Sequence, residues 1–221
     1  MNIGTLLTIG FSAIFVSNFV LAKFLGLCPF LGVTQKVKNA LGMGAAVTFV
    51  MFLASFVTYL LYGLFLKAGA PLLAADLVLP LKTPMFILVI ATLVQLVEMF
   101  LRSRLPALYH ALGVYLPLIT TNCAIMGVAL LNTTDAPEEL QRLGEESFAQ
   151  GLLVATWYGI TAGLGFTLAM LLMSGVRERL AHLDIPKPLR GIPIAFICTG
   201  LMALAFLGFA GMIGGLKANI G

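Results

Sequence analysis

The chain has 221 residues, 60% of them hydrophobic and 10% charged, with a mean hydropathy of +1.05. A soluble domain of this length needs far more charge to cover its surface, so the composition excludes an ordinary globular enzyme and makes the bilayer the expected solvent. The net charge of +4 is small enough for cationic loops on one membrane face to carry it, and it calls for no nucleic acid.

Six apolar segments are long enough to cross about 30 Å of hydrocarbon. The prediction is therefore an all-α polytopic membrane protein, a single integral membrane domain over 1–221. The first span, 3–22, lacks a basic leader and is too long for a signal-peptide core, so it is read as a retained helix. Behind it comes Lys-Phe-Leu-Gly-Leu-Cys-Pro-Phe-Leu-Gly-Val at 23–33. Pro29 removes an amide donor and disfavours helix at Cys28, so the chain is expected to break there. The second span, 40–66, opens on Gly42-Met43-Gly44, a close-packing signal, and carries Thr48. The third, 83–101, is led by Pro84 and holds Gln95 and Glu98, with Arg102 at the i,i+4 spacing of an interfacial ion pair. Asn18, Thr48 and Gln95 are read as helix-to-helix hydrogen-bonding residues. In the fourth span, 111–131, Pro117 and the run Thr120-Thr121-Asn122 interrupt the apolar pattern just before Cys123. The acidic stretch 132–150 is read as a loop. The fifth span, 151–175, contains Gly163-Leu164-Gly165, and the sixth, 191–213, is led by Pro193 and holds Cys198.

The order is a repeat. Cys-Pro-Phe-Leu-Gly-Val at 28–33 matches Cys-Ala-Ile-Met-Gly-Val at 123–128, and each is followed by a Gly-x-Gly helix and a proline-led helix. Three spans per half is an odd number, so the halves, about 3–101 and 105–213, are expected to be inverted in the membrane, with broken helices meeting near its midplane. Basic residues set the orientation. Lys23, Lys36, Lys38, Arg102, Arg104, Arg177, Arg179, Lys187 and Arg190 follow spans one, three and five, against Lys67, Lys82, Arg142 and Lys217 on the other side. Positive-inside then places both termini outside, in the periplasm.

The thiols allow several readings. A lone cysteine in a membrane helix is most often inert packing, and Cys198 stays there because its counterpart in the first half is Val89. Cys28 and Cys123 share a frame, which favours a common task, although inert thiols or a disulfide remain alternatives. No CxxC pair exists for a zinc ribbon or ferredoxin-type cluster within the chain. No Ser–His–Asp set, phosphate loop or dinucleotide fingerprint appears, and His110 and His182 lack metal-ligand spacing. Thr120, Thr121 and Asn122 are poor iron ligands, but they carry donors for hydrogen bonds to sulfur.

Together NFVLAKFLGLCPFLGV, LPLITTNCAIMGVALLN, GVRERLAHLDIPKPLRG and TGLMALAFLGFAGM resemble the RnfA/RnfE and NqrD/NqrE family of membrane electron-transport subunits, over nearly the whole chain. The form of the first cysteine motif is more similar to RnfA of the Rnf branch than to the sodium-pumping NADH:quinone oxidoreductase branch. Stretch 132–150 is longer than the family pattern. The resemblance implies that Cys28 and Cys123 join two cysteines of a homologous RnfE subunit to hold an intramembrane [2Fe–2S] cluster. It implies an inner-membrane, redox-driven ion pump, a ferredoxin:NAD+ oxidoreductase coupled to Na+ or H+ movement, with RnfB, RnfC, RnfD and RnfG as further partners. Flavin and NAD would be bound by those other subunits, and this chain would not be catalytic alone. The equivalent subunit of the quinone-reducing pump and a non-redox inverted-repeat transporter are the alternatives.

Overall fold

The computed structural model describes residues 3–63, 75–104, 118–119, 121–142 and 148–218, and every regular element among them is helical. Helix α1 (Ile3–Phe11) runs into a π-helical turn (Ser12–Val16), after which the chain unwinds until α2 (Leu27–Val33). Longer helices follow: α3 (Val37–Leu61), α4 (Ala75–Arg104), α5 (Cys123–Arg142) and α6 (Phe148–Leu180). A short 3-10 turn (Lys187–Leu189) leads into α7 (Ile192–Ala218).

Helices α3 and α6 are the antiparallel axis of the molecule. At one end Glu178 accepts the Val37 amide at 3.2 Å, and at the other Tyr59 stacks on Phe148 with ring centroids 5.6 Å apart. Between these ends the pairing is reciprocal. A methyl group on Gly44 would lie 2.6 Å from Thr167 Cγ2, and one on Gly163 would lie 2.7 Å from Thr48 Cα. The two threonine hydroxyls meet at 3.1 Å, and each also donates to the carbonyl of the glycine four residues before it, Gly44 or Gly163. Each glycine thus receives the threonine of the other helix. The Gly-x-Gly reading anticipated this close packing without fixing the register; the contacts equate Gly44 with Gly163 and Thr48 with Thr167. In that register Met51 matches Met170 and Ser55 matches Ser174, all four buried.

The unwound stretch after α1 has a single organiser. Asn18, fully buried, accepts the Val20 and Leu21 amides at 3.0 and 3.2 Å, and donates to the Ile14 and Gly165 carbonyls at 3.0 and 2.8 Å. It uses both amide hydrogens and both lone pairs, so freed backbone groups are satisfied without water, as a membrane interior demands. Asn18 and Thr48 are therefore helix-joining residues, as their sequence setting suggested, whereas Gln95 is exposed on α4. Pro29 does not end a helix. It lies in the first turn of α2, where a missing amide costs nothing.

Helix α5 also differs from expectation. It continues through Asn132 to Arg142, into the stretch read as a loop. Alanine, leucine and the paired glutamates there are good helix formers, and the helix runs through Pro137 without ending. Residues 143–147 of that stretch lie outside the described residues, as do 64–74 and 105–117.

Three helices, Val37–Leu61, Phe148–Leu180 and Ile192–Phe209, are long and apolar enough to cross a membrane, and Leu6–Val16, Pro84–Leu96 and Cys123–Asn132 are shorter apolar helices. These six fall within or across the six predicted spans. The outer face is apolar as well: Phe196, Leu201, Leu204 and Leu207 of α7 and Leu88 and Met99 of α4 are all more than half exposed. A continuous apolar exterior is stable only against lipid or another protein.

Candidate functional site

Both motif cysteines stand at the start of a helix, Cys28 as the second residue of α2 and Cys123 as the first of α5. Both are exposed, free thiols, whereas Cys198 is half-buried on α7. The chain segments that carry them touch. The Gly26 amide donates to Cys123 Sγ at 2.9 Å. Two residues of chain span at most about 7 Å, so the Cys28 backbone lies within that distance of the same point. Segments 97 residues apart in sequence therefore meet beside Cys123, and each carries an exposed thiol.

Glycine is obligatory at this contact. Gly26 has φ +82°, the left-handed region, and a β-carbon there would stand 2.7 Å from Phe166 Cε2, 3.0 Å from Asn122 Oδ1 and 3.2 Å from Ala124 Cβ. The repeated Cys-x-x-x-Gly-Val frame places its valines alike, Val33 and Val128 both being buried. Its glycines differ. A methyl group on Gly127 would meet Leu25 Cδ1 at 2.8 Å and Phe19 Cε1 at 3.2 Å, while Gly32 has open space around it.

Each helix start is held separately. Asn122 caps α5, its Oδ1 accepting the Ala124 amide at 3.0 Å and its carbonyl accepting the Ile125 amide at 3.1 Å. The far end of α2 is fastened by Arg177 of α6, whose Nη1 donates to the Leu31 carbonyl at 2.6 Å and to Thr34 Oγ1 at 3.1 Å. Thr34 Oγ1 in turn donates to the Phe30 carbonyl at 2.6 Å. The helix carrying Cys28 is thus anchored at both ends to the second half of the chain.

Among the described residues no group of three or more His, Cys, Asp or Glu side chains gathers as a metal site. Two exposed thiols on segments that touch are half of the four thiolates that an iron–sulfur cluster takes. Buried amide donors beside them suit the sulfur of such a group, so the residues present fit a half-site. Sequence reasoning singled out both cysteines but missed Gly26 and Arg177. A glycine two residues before Cys-Pro was a signal for the first; nothing local to Arg177 marks it, since its partners lie 143 and 146 residues away.

A chain whose described elements are all helical, with membrane-length helices and an apolar exterior, is a multi-pass membrane protein. More narrowly, this chain belongs to the Rnf-Nqr family of membrane subunits, whose family model matches residues 6–213. It is 53% identical over 208 residues to the A-type subunit of the Na+-translocating ferredoxin:NAD+ oxidoreductase complex of Acetobacterium woodii, covering 94% of this chain and 98% of that protein. Similar relatives are the A-type subunits of two ion-translocating oxidoreductase complexes. That of Syntrophotalea carbinolica is 51% identical over 95% of this chain and 98% of the relative, and that of Citrobacter koseri 50% identical over 90% and 93%.

Proposed function

We propose that this chain is the A-type membrane subunit of an Rnf ion-translocating ferredoxin:NAD+ oxidoreductase, and that Cys28 and Cys123 provide two of the four ligands of a [2Fe–2S] cluster. A homologous RnfE subunit would provide the other two, in the inner membrane. The observation that carries the reading is the contact between the two thiol-bearing segments, made by the Gly26 amide bond to Cys123 Sγ, with both thiols exposed. The names of the relatives support the complex and its activity. When bound, the cluster supplies one-electron transfer within the bilayer, coupled to Na+ or H+ movement. The part of this chain is to hold two thiolates, aim amide donors at them and keep water away.

Six spans as two inverted repeats remain the architecture that best accommodates this role. The reciprocal Gly44–Thr167 and Gly163–Thr48 contacts have the form of a two-fold relation between antiparallel helices, as spans two and five of an inverted repeat require. The pieces α1, the π turn and α2 contain 9, 5 and 7 residues, enough for roughly 30 Å of helix when stacked as one broken span. Arg177 bonding the end of α2, and Glu178 the start of α3, favour one membrane face for the connections after spans one and five. That face is the cytoplasmic one by its charge.

The test is the cysteines taken singly in the intact complex. Cys28→Ser and Cys123→Ser should each abolish cluster retention and ferredoxin-linked NAD+ reduction while the protein still inserts; Cys198→Ser should leave both intact. Equal activity in all three variants would return Cys28 and Cys123 to inert packing.

A further inference from the structure

Asn122 does two separable things at the start of α5. Its Oδ1 accepts the Ala124 amide, which fixes which end of the side-chain amide is oxygen. The other end, Nδ2, is left buried with no hydrogen-bond partner, although the residue is only 5% exposed. Buried amide donors are almost always satisfied, and an orphan in a native fold calls for an explanation, of which an acceptor that binds there is one. The helix cap does not explain it, because serine or aspartate caps as well as asparagine and neither brings an amide donor.

The surroundings identify the acceptor by chemistry. Asn122 is bonded in sequence to Cys123, and its Oδ1 stands 3.0 Å from where a Gly26 β-carbon would be. The Gly26 amide, already bonded to Cys123 Sγ at 2.9 Å, therefore lies on the same small patch. One amide donor already meets Cys123 Sγ, and the orphan donor belongs to the side chain of the residue before it.

We infer that Asn122 Nδ2 and the Gly26 amide are positioning donors for the sulfur of an iron–sulfur centre held at Cys123, and that they raise its reduction potential. The inference rests on the cluster proposed above. One-electron reduction, with the electron coming from the ferredoxin-fed chain of the complex, adds negative charge to the centre, and no bond in this chain forms or breaks. Donors fixed on sulfur favour that extra charge over the oxidised state, and they do so most where water is excluded.

The experiment uses the complex purified with the homologous subunit, in wild-type, Asn122→Ser and Asn122→Ala forms. Three quantities are read: iron and acid-labile sulfide, thermal stability, and midpoint potential by EPR-monitored redox titration. The serine variant keeps the cap and loses the amide. It should retain wild-type stability and iron, while its reduced-to-oxidised ratio at fixed ambient potential falls roughly two- to tenfold, tenfold being 59 mV for a one-electron couple. The alanine variant should show the same fall in potential together with lost stability. A serine variant titrating with the wild type, with only the alanine variant impaired, overturns the donor role and leaves Asn122 a helix cap. Pulsed EPR on wild-type complex labelled with 15N-asparagine needs no variant: a side-chain amide nitrogen coupled to the reduced centre is expected, and its absence overturns the inference. A wild-type complex without iron and sulfide sinks the cluster reading itself, and this inference with it.

Discussion

Gly163 gives the sharpest test of the packing that holds the two halves together. Glycine to alanine inside a helix ordinarily stabilises, by about 1 kcal/mol from propensity alone. Here the added methyl would stand 2.7 Å from Thr48 Cα, 2.8 Å from its Cγ2 and 2.9 Å from its Cβ. The nearest of these is backbone, so rotating the threonine does not relieve the clash, and α3 and α6 must separate. Overpacking of this kind costs about 1–3 kcal/mol, which outweighs the propensity gain at all but its lower end. Gly163→Ala should therefore lower the melting temperature of the detergent-solubilised complex, by about 2–4 °C for each net kcal/mol in a chain of this size. Gly44→Ala meets side-chain atoms first, Thr167 Cγ2 at 2.6 Å and Oγ1 at 2.7 Å. Truncation should thus rescue one site and not the other. Gly44→Ala with Thr167→Ala should recover most of the loss, and Gly163→Ala with Thr48→Ala little of it, in a double-mutant cycle. Scanning fluorimetry of the six forms and the wild type reads the result. A Gly163→Ala variant more stable than wild type would refute the reciprocal crossing.

Asn18→Asp keeps an oxygen for the Val20 and Leu21 amides but sets a carboxylate against the Ile14 and Gly165 carbonyls. The loss should be about 2–4 kcal/mol or more, seen as failure of the protein to accumulate in membranes, whereas Ser17→Ala one residue away should accumulate normally. The orientation rests on nine basic residues against four. An alkaline phosphatase fusion after Gly221 should be active and a green fluorescent protein fusion dark; the opposite pair would overturn periplasmic termini.

Much of the site was legible because it is written in short, local signals. Cys28 and Cys123 share a six-residue frame, and the polar run before Cys123 announces a break in an otherwise apolar pattern, whereas Pro29 sits inside the first turn of α2. Asn18 and Thr48 were recognisable as helix-joining because a membrane interior leaves polar side chains few other uses. What the sequence hid was register and reach. Gly42 and Gly44 look alike in a Gly-x-Gly motif, and only the approach of Thr167 distinguishes them. Arg177 reads as one more cytoplasmic charge, yet it fastens the end of the helix that carries Cys28. The helical course of 132–142 was obscured because its polar residues and Pro137 suggest a loop, yet the helix that begins at Cys123 runs through them to Arg142.

The central claim is that the iron–sulfur centre belongs to an interface, with this chain giving two thiolates and its homologue the other two. Iron and acid-labile sulfide, measured on this chain expressed by itself and on the same chain co-purified with its homologue, test it most directly. The lone chain should carry neither, because hydrocarbon offers no water or buffer ligand to complete a half-ligated centre. The heterodimer should carry two irons and two sulfides, with an EPR signal on reduction. Stoichiometric iron and sulfide in a lone chain shown to be monomeric, or a heterodimer with none, would contradict the account.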